Sequence, residues 1–285
     1  MQTKATTSEP ASQMLSLLNA CLSTQALHVA ARLGIADELK AGPRGIVELS
    51  AALDAQPDAL DRLMRMLAGI GVFSAGEDGT YELTPLGETL QTDGPKSVRD
   101  WALYIGAAAP WSAWGHLYES VKTGTPGFVL AHGMPTYDFL EAHPELAASF
   151  NRWMSKQSDQ QNAAIVDAYD FSKFQGSTLA AVLARYPSLR GILFDKPSVV
   201  AGSAPLDASG VRVRCDVVGG DMLEAVPGEA DLYIIKRVLM ICSDAEAATV
   251  LKNCAARMRS GRKVLVVEMV MPPVGEPGPA TTFDI

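Results

Sequence analysis

The sequence predicts a mixed α/β protein. Its C-terminal part is predicted to be a Rossmann-like, mostly parallel sheet, and its N-terminal part to be helical with a winged helix. The runs ILFD, VVGGD, DLYIIK and KVLVV are almost continuously apolar, which is typical of strands buried on both faces. An amphipathic helical pattern, AEAATVLKNCAARM, separates the last two runs. Strands that alternate with helices indicate a parallel sheet covered by helices.

The composition is that of an ordinary soluble globular chain. Its 285 residues are 48% hydrophobic and 20% charged, and this length predicts two domains that each bury a core. The net charge of −8 and the lack of a basic tail argue against nucleic acid as a partner.

Cysteine usage and the N-terminus indicate the compartment. Cys21, Cys215, Cys242 and Cys254 show no metal-ligand spacing, so we expect free thiols in a reducing cytosol and no metal site. The polar start MQTKATTSEP lacks the apolar core of a signal peptide, and no apolar run reaches about 20 residues. We therefore expect a cytoplasmic protein that does not contact a membrane.

Residues 11–39 carry apolar side chains at helical spacing, in a stripe wider than one helix needs for its own core. The stripe comprises Met14, Leu17, Leu18, Cys21, Leu22, Ala26, Leu27, Val29, Ala30 and Leu33. A partner subunit that covers the excess is one explanation, and burial within the same domain is the other.

Residues 45–90 have the order of elements of a winged helix. IVELSAALD and DALDRLMRMLAGI predict two helices, and VFSAGEDGTYELT predicts a hairpin that turns at Gly-Glu-Asp-Gly. The segment has eight acidic residues and two arginines, whereas a recognition helix needs basic and amide side chains that face phosphates and bases. We therefore expect a structural or dimerisation module rather than a DNA-binding regulator.

Helices rich in aromatic residues are predicted between 95 and 170. Aromatic side chains usually pack in cores, but their crowding between two domains also suits the wall of an apolar substrate pocket, for which Trp111 and Trp114 are candidates. His116, His132 and His143 lie in the same region, where each is more often a surface or capping residue than a base. No pair of them has the spacing of metal ligands.

Polar residues follow three of the predicted strands. ILFD ends at Asp195, VVGGD ends at Asp221 beside Met222, and Lys236 follows DLYII. Because open α/β sheets bind ligands beyond the carboxyl ends of their strands, this pattern predicts a site for a nucleotide-type cofactor. The alternative is structural, with the two aspartates as strand-end caps or turn residues and the lysine as a solvated cation.

The segments WGHLYESVKTGTPGF, FLEAHPELAASFNRWM and YDFSKF, followed by these strands, resemble the class I S-adenosylmethionine-dependent O-methyltransferases. The branch concerned includes plant caffeate-type enzymes and bacterial enzymes that methylate polyketide, phenazine and other aromatic metabolites. The resemblance extends over nearly the whole chain and depends on the order and spacing of the segments rather than on one motif. It implies a winged-helix dimerisation domain followed by a Rossmann-like cofactor domain.

The resemblance implies a role for each matching residue near the cofactor. Asp195 would accept hydrogen bonds from the ribose hydroxyls, because a carboxylate can accept from two hydroxyls at once. Asp221 would accept from the exocyclic amine of adenine, and Met222 would pack on the ring. Lys236 matches a lysine near the cofactor, and the helical region would touch the cofactor at Met154 and Ser158.

The position of the family's usual general base, a histidine, is occupied here by Met240. A methionine cannot take a proton from a phenol, so the usual contribution of a general base to catalysis is absent. Positioning of the acceptor remains as a means of accelerating the reaction. Together with Trp111, Trp114 and Met154, Met240 is a candidate wall of the substrate pocket.

Two further departures from the family bear on cofactor binding. The family has a strand and a glycine-rich turn before the helix STLAAVLARYP, whereas here Gln175 and Gly176 lead directly into it, and Gly176 matches the last glycine of that turn. The family also continues beyond TTFD, which implies an unpaired sheet edge here. Weak or absent binding of S-adenosylmethionine is therefore one expectation.

Two functions stay open at the level of sequence. The first is an O-methyltransferase that acts on a small aromatic or polyketide-type hydroxyl in secondary metabolism. The second is a catalytically inactive pseudo-methyltransferase that dimerises with or supports an active partner. With either function, the expected assembly is a homodimer or a heterodimer with a related methyltransferase. The predicted domains are a winged-helix-like dimerisation domain at 1–95, a helical substrate-pocket region at 96–170 and an S-adenosylmethionine-binding domain at 171–285.

Overall fold

The structure, a computed structural model, describes residues 9–94, 96–168, 179–201 and 210–276, and of 157–168 it describes the backbone only. The chain divides into two compact units, Met1–Ser158 and Asp159–Ile285. The first unit is helical with a small antiparallel sheet, and the second combines parallel strands with helices. The predicted mixed α/β class is confirmed.

The first helix, α1 (Pro10–Leu33), begins with proline at a position where its missing N–H costs nothing and ends at Gly34. Gly34 has φ 74° and donates its N–H to the carbonyl oxygen of Ala30, which is a left-handed helix end. A short helix, α2 (Ile35–Glu38), follows. The expected single stripe over 11–39 is therefore interrupted, because only glycine enters this conformation without steric cost.

Only the second half of α1 packs into the unit. Ala26, His28, Ala30 and Ala31 are buried, whereas the first half exposes its large apolar side chains to solvent. The exposed set comprises Met14, Leu15, Leu17, Leu18 and Leu22. By length and composition alone, α1 is the single helix in the described part of the chain that could span a membrane, and one such helix near an N-terminus is weak evidence for a span.

The winged-helix segment forms as predicted. It contains α3 (Ile46–Ala52), α4 (Pro57–Gly69) and a sheet of β1 (Arg44–Gly45), β2 (Phe73–Ala75) and β3 (Thr80–Leu83) in the order β1-β3-β2. The Gln56 side chain accepts the N–H of Ala59 and caps α4. Leu49, Leu60, Met64, Leu67 and Phe73 are buried in the core of this unit.

Six helices follow, the last of which continues past the end of the first unit. They are α5 (Arg99–Ile105), α6 (Ala108–Gly115), α7 (Leu117–Thr123), α8 (Gly127–His132), α9 (Thr136–Ala142) and α10 (Pro144–Ala168). The carboxylate of Asp100 on α5 is buried and accepts hydrogen bonds from Arg152 at 2.7 Å and Lys156 at 2.9 Å, both on α10. Burial opposes ionisation of Asp100, but the two cations outweigh burial and hold its pKa below the ordinary value. These two ion pairs of Asp100 fix α10 against α5.

The second unit contains two pairs of parallel strands. Its elements are α11 (Leu179–Arg185), β4 (Gly191–Asp195), α12 (Pro197–Val200), β5 (Cys215–Gly219), β6 (Leu232–Lys236), α13 (Asp244–Arg257) and β7 (Lys263–Val267). Strand β4 pairs with β5 and β6 pairs with β7, each over five residues in register. Within the described residues these pairs are separate two-stranded sheets.

The two strand pairs nevertheless share their hydrophobic cores. Leu193 of β4 and Ile234 of β6 pack in one cluster with Val182 and Leu183 of α11. Phe194 of β4 and Ile235 of β6 pack in a second cluster with residues of α13. Because side chains alternate between faces along a strand, the pairs form one layer with a helix on each face.

Candidate functional site

The carboxyl ends of β4 and β5 lie side by side. Asp195 is opposite Gly219, and its carbonyl oxygen accepts the N–H of Gly220 at 3.0 Å. A Cβ on Gly220 would lie 2.6 Å from the ring of Phe194, so this close approach requires glycine. The chain then reaches Asp221 at the same edge of the layer as Asp195.

Each of the two aspartates uses one carboxylate oxygen to hold its own turn. Oδ1 of Asp195 accepts the N–H of Lys196 at 2.8 Å, and Oδ1 of Asp221 accepts the N–H of Leu223 at 2.8 Å. Both side chains are exposed, and the second oxygen of each has no hydrogen-bond partner among the described residues. The turn role proposed as the structural alternative is therefore present, and it leaves one acceptor on each residue for a ligand.

Met222 is held in place by a residue that the sequence analysis did not identify. The side-chain amide of Asn253 on α13 donates to the carbonyl oxygens of Met222 at 2.8 Å and Leu223 at 3.1 Å. Asn253 is partly buried within an amphipathic helix, where an amide is a poor choice for packing alone. That partly buried amide, between apolar positions of the helix, was the signal available in the sequence.

Asp195, Met222 and Lys236 surround one cavity of about 430 Å³ in the second unit. All five residues of β4 and all five of β6 contribute to its lining. Lys236 is the last residue of β6 and is partly buried. The structure thus brings three of the predicted cofactor residues together, whereas Asp221 does not line this cavity.

Met240 lies in a 3-10 turn, Leu239–Ile241, just beyond β6, and it is exposed. Oε1 of Glu268 accepts the N–H groups of Val238 and Leu239 and holds this turn. Nearby, burial raises the pKa of the Cys242 thiol, and the charges of Glu246 and Glu268 raise it further. A protonated thiol is a poor base, so Cys242 does not replace the missing histidine.

The remaining predicted site residues belong to the first unit or lie outside the described residues. On α6, Trp111 is half-buried and Trp114 is exposed. Met154 is partly buried on α10. Ser158 lies in the part of α10 described by its backbone only, and Gly176 lies outside the described residues. Their roles in binding stay predictions.

Two of the candidate histidines make local structural contacts. Nε2 of His132 lies 3.0 Å from the carbonyl oxygen of Ala109 and 3.2 Å from Oγ of Ser112. Nδ1 of His143 lies 2.7 Å from the carbonyl oxygen of Phe139, and the two rings stack. These contacts fit the capping role that the sequence favoured over a base.

The residues at the strand ends suit an adenosyl ligand. The available carboxylate oxygens accept from hydroxyl and amine groups, and the half-buried thioether of Met222 offers an apolar surface to a ring. Among the residues that the structure describes, no group of three histidine, cysteine, aspartate or glutamate side chains could hold a metal ion. The donor set therefore fits an organic cofactor.

Two family models match this chain. Residues 15–93 match the O-methyltransferase dimerisation domain, and residues 114–283 match the O-methyltransferase domain. The chain is 37% identical over 274 residues to a phenazine O-methyltransferase of Lysobacter antibioticus, covering 93% of this chain and 80% of that protein.

Two solved structures are similar as well. The crystal structure of LaPhzM superposes with a TM-score of 0.89 at 36% identity, covering 97% of this chain and 86% of that one. The second is an O-methyltransferase from neocarzinostatin biosynthesis, solved with S-adenosylmethionine and 2-hydroxy-5-methyl naphthoic acid. It superposes with a TM-score of 0.76 at 30% identity, covering 86% of this chain and 79% of that one.

Proposed function

Because this chain belongs to the O-methyltransferase family, we propose that it methylates a hydroxyl group of a small aromatic or polyketide-type metabolite with S-adenosylmethionine as the methyl donor. The observation that supports this most directly is that Asp195 and Lys236, the last residues of β4 and β6, line one cavity together with Met222. That edge of an α/β layer is where such folds bind nucleotides.

The cofactor supplies an electrophilic methyl group on a sulfonium centre. Asp195 accepts hydrogen bonds from the ribose hydroxyls with its available oxygen, while its other oxygen keeps the Lys196 turn in place. Asp221 accepts from the adenine amine, and Met222 packs on the ring, positioned by Asn253. Lys236 lies beside the cofactor at the end of β6. Gly176, Met154 and Ser158 complete this proposed set of cofactor contacts.

The acceptor side of the reaction relies on positioning. Met240 offers no proton acceptor, so an acceptor hydroxyl of low pKa, such as a phenol, reacts as its solvent-formed anion once it is held in line with the methyl group. Trp111, Trp114 and Met240 are the proposed apolar surfaces for the aromatic substrate. Activity should therefore rise with pH through the phenol's own pKa.

A second copy of the chain is the proposed partner. The exposed apolar half of α1 lies largely within the segment that matches the dimerisation domain, and burial of such a surface is the main source of association free energy. A homodimer in the cytoplasm is the form we propose, and a heterodimer with a related methyltransferase is the alternative.

Calorimetric titration of the purified protein with S-adenosylmethionine tests the cofactor, and mass spectrometry of a panel of phenolic acceptors tests the transfer. We expect micromolar binding, which corresponds to about −8 kcal/mol, and a gain of one methyl group on at least one acceptor. A folded dimer that gives no heat at high ligand concentration would instead favour the pseudo-methyltransferase.

A further inference from the structure

Arg237, the residue that follows β6, has a left-handed backbone conformation with φ 54°. A side chain makes this conformation costly, because its Cβ crowds the following carbonyl oxygen. In the described part of the chain, Asp54 is the one other residue with a side chain and a positive φ, and aspartate is a residue type that tolerates it. An arginine in this conformation therefore indicates a constraint imposed by the surrounding structure.

Three backbone hydrogen bonds impose this conformation. The N–H of Arg237 donates to the carbonyl oxygen of Val267 at 3.0 Å. The N–H groups of Val238 and Leu239 both donate to Oε1 of Glu268, at 2.7 and 2.9 Å. Val238 returns to the right-handed region, and a left-handed residue followed by a right-handed one turns successive N–H groups towards one anion. The carboxylate of Glu268 thus occupies an anion-binding concavity of the backbone.

Pairing of the two charged side chains does not account for the conformation. Nε of Arg237 and Oε2 of Glu268 are both buried, and neither atom has a hydrogen-bond partner among the residues that the structure describes. A bond between these two atoms would be the ordinary reason for an arginine and a glutamate at such a junction, and it is not formed. What the turn uses is the backbone of Arg237 and one oxygen of Glu268.

This turn joins the two sides of the proposed reaction. Lys236 and Val238 line the cavity assigned to the cofactor. Met240, two residues later, is exposed and is a proposed surface for the acceptor. Because Met240 offers no proton acceptor, the rate depends on how closely the acceptor is held to the methyl group. A turn held by hydrogen bonds from the end of β7 is suited to set that distance.

We propose that Arg237 and Glu268 are positioning residues of the methyl transfer. The left-handed backbone of Arg237 directs two N–H groups to Glu268, and the carboxylate in turn fixes the segment from Lys236 to Met240. Neither side chain needs to touch the cofactor or the acceptor. The inference rests on the proposed function, since it assigns a task in that reaction to residues beside the proposed site.

Two substitutions of Arg237 separate the backbone from the side chain. Arg237→Gly and Arg237→Val both remove the guanidinium, but glycine adopts a left-handed conformation without steric cost, whereas a β-branched residue adopts it least readily. We expect Arg237→Gly to keep kcat within about twofold of the wild type, and Arg237→Val to lower it about tenfold or more, because a misplaced acceptor reacts slowly. Calorimetry should give both variants a Kd for S-adenosylmethionine within about threefold of the wild type.

Substitutions of Glu268 provide a second matched pair. Glu268→Gln keeps an oxygen for the N–H groups of Val238 and Leu239, so it should retain most of the kcat that Glu268→Ala loses. Residue-resolved hydrogen exchange, which needs no cofactor, checks the cause. The amides of Val238 and Leu239 should exchange about tenfold faster or more in Glu268→Ala than in the wild type. The amide of Arg237, which bonds to Val267, should change little.

The outcomes separate this inference from the proposed function. If the wild type transfers no methyl group to any acceptor, the proposed function fails and the inference fails with it. If the wild type is active but Arg237→Gly loses as much kcat as Arg237→Val, the guanidinium acts rather than the backbone, and this inference alone is wrong. It is also wrong if the variants lower the urea midpoint and leave kcat unchanged, because the role is then structural. Arg237→Ala, with a smaller steric cost, replaces Arg237→Val if that variant does not fold.

Discussion

The amide of Asn253 lies 2.8 Å from the carbonyl oxygen of Met222, and this contact links α13 to the turn that follows β5. The same amide reaches the carbonyl oxygen of Leu223 at 3.1 Å. The turn that carries Asp221 and Met222 is therefore positioned by a helix that lies more than twenty residues further along the chain.

The first prediction concerns this contact. Asn253→Ala should lower the free energy of unfolding by about 1–2 kcal/mol, because two carbonyl oxygens lose a partly buried donor. It should also weaken S-adenosylmethionine binding, since the turn is no longer held. Urea unfolding and calorimetry measure the two effects. Lys252→Ala, at an exposed position on the same helix, is the control and should change neither.

The second prediction separates the two oxygens of Asp221. Asp221→Ala should weaken cofactor binding by roughly 1–3 kcal/mol, because the adenine amine would lose its hydrogen-bond acceptor. Asp221→Asn keeps an oxygen for the Leu223 N–H, so it should retain the turn and lose only the ligand contact. Calorimetry measures affinity, and unchanged affinity in both variants would remove Asp221 from the proposed site.

The third prediction concerns the charge pair between α5 and α10. Asp100→Ala should lower the free energy of unfolding by about 1–3 kcal/mol at neutral pH, because Arg152 and Lys156 lose their partner. The i,i+4 pair of exposed Arg65 with half-buried Asp61 provides the control, and Arg65→Ala should cost about 0.5 kcal/mol or less.

The fourth prediction is the pH dependence of this pair. The folded state depresses the pKa of Asp100, so its stabilisation is present above the unfolded pKa of about 3.9 and is lost as the pH falls through the folded pKa. The stability difference between the wild type and Asp100→Asn should therefore shrink between neutral pH and pH values below about 3.9. Urea midpoints measured across this range would contradict the assignment if the difference stayed constant.

The fifth prediction concerns the apolar half of α1. Leu17 and Leu18 are 70% and 65% exposed, so Leu17→Glu and Leu18→Glu should cost the single chain little but oppose burial against a second copy. Light scattering after size exclusion should show a shift from dimer to monomer. Val213→Glu, at an apolar position that is 83% exposed in the second unit, should leave the dimer intact.

The elements that local pattern determines were predictable from the sequence. The hairpin of β2 and β3 forms around Gly-Glu-Asp-Gly. Strands β4 and β6 end at Asp195 and Lys236, and β5 ends two residues before Asp221. Turn residues and apolar runs specify these features within a few residues. The break at Gly34 was missed, since an isolated glycine in a helical pattern is compatible with either continuation or a helix end.

What depends on distant contacts could not be predicted. The hydrogen bond from Asn253 to Met222 joins residues 31 positions apart, and the hydrogen bond from Val238 to Glu268 joins residues 30 positions apart. The sequence indicated one parallel sheet, whereas the described strands form two separate pairs with a cavity between them, because strand order is set by pairing that no local pattern encodes.

The chain has four tryptophans, and all of them, at 101, 111, 114 and 153, lie in the first unit. Trp101 and Trp153 stack with their ring centroids 5.6 Å apart, across the junction of α5 and α10. Intrinsic tryptophan fluorescence therefore reports on the first unit alone. Far-ultraviolet circular dichroism, by contrast, monitors both units. If the melting curves followed by fluorescence and by circular dichroism differ, the two units unfold independently, and no added label is needed to show it.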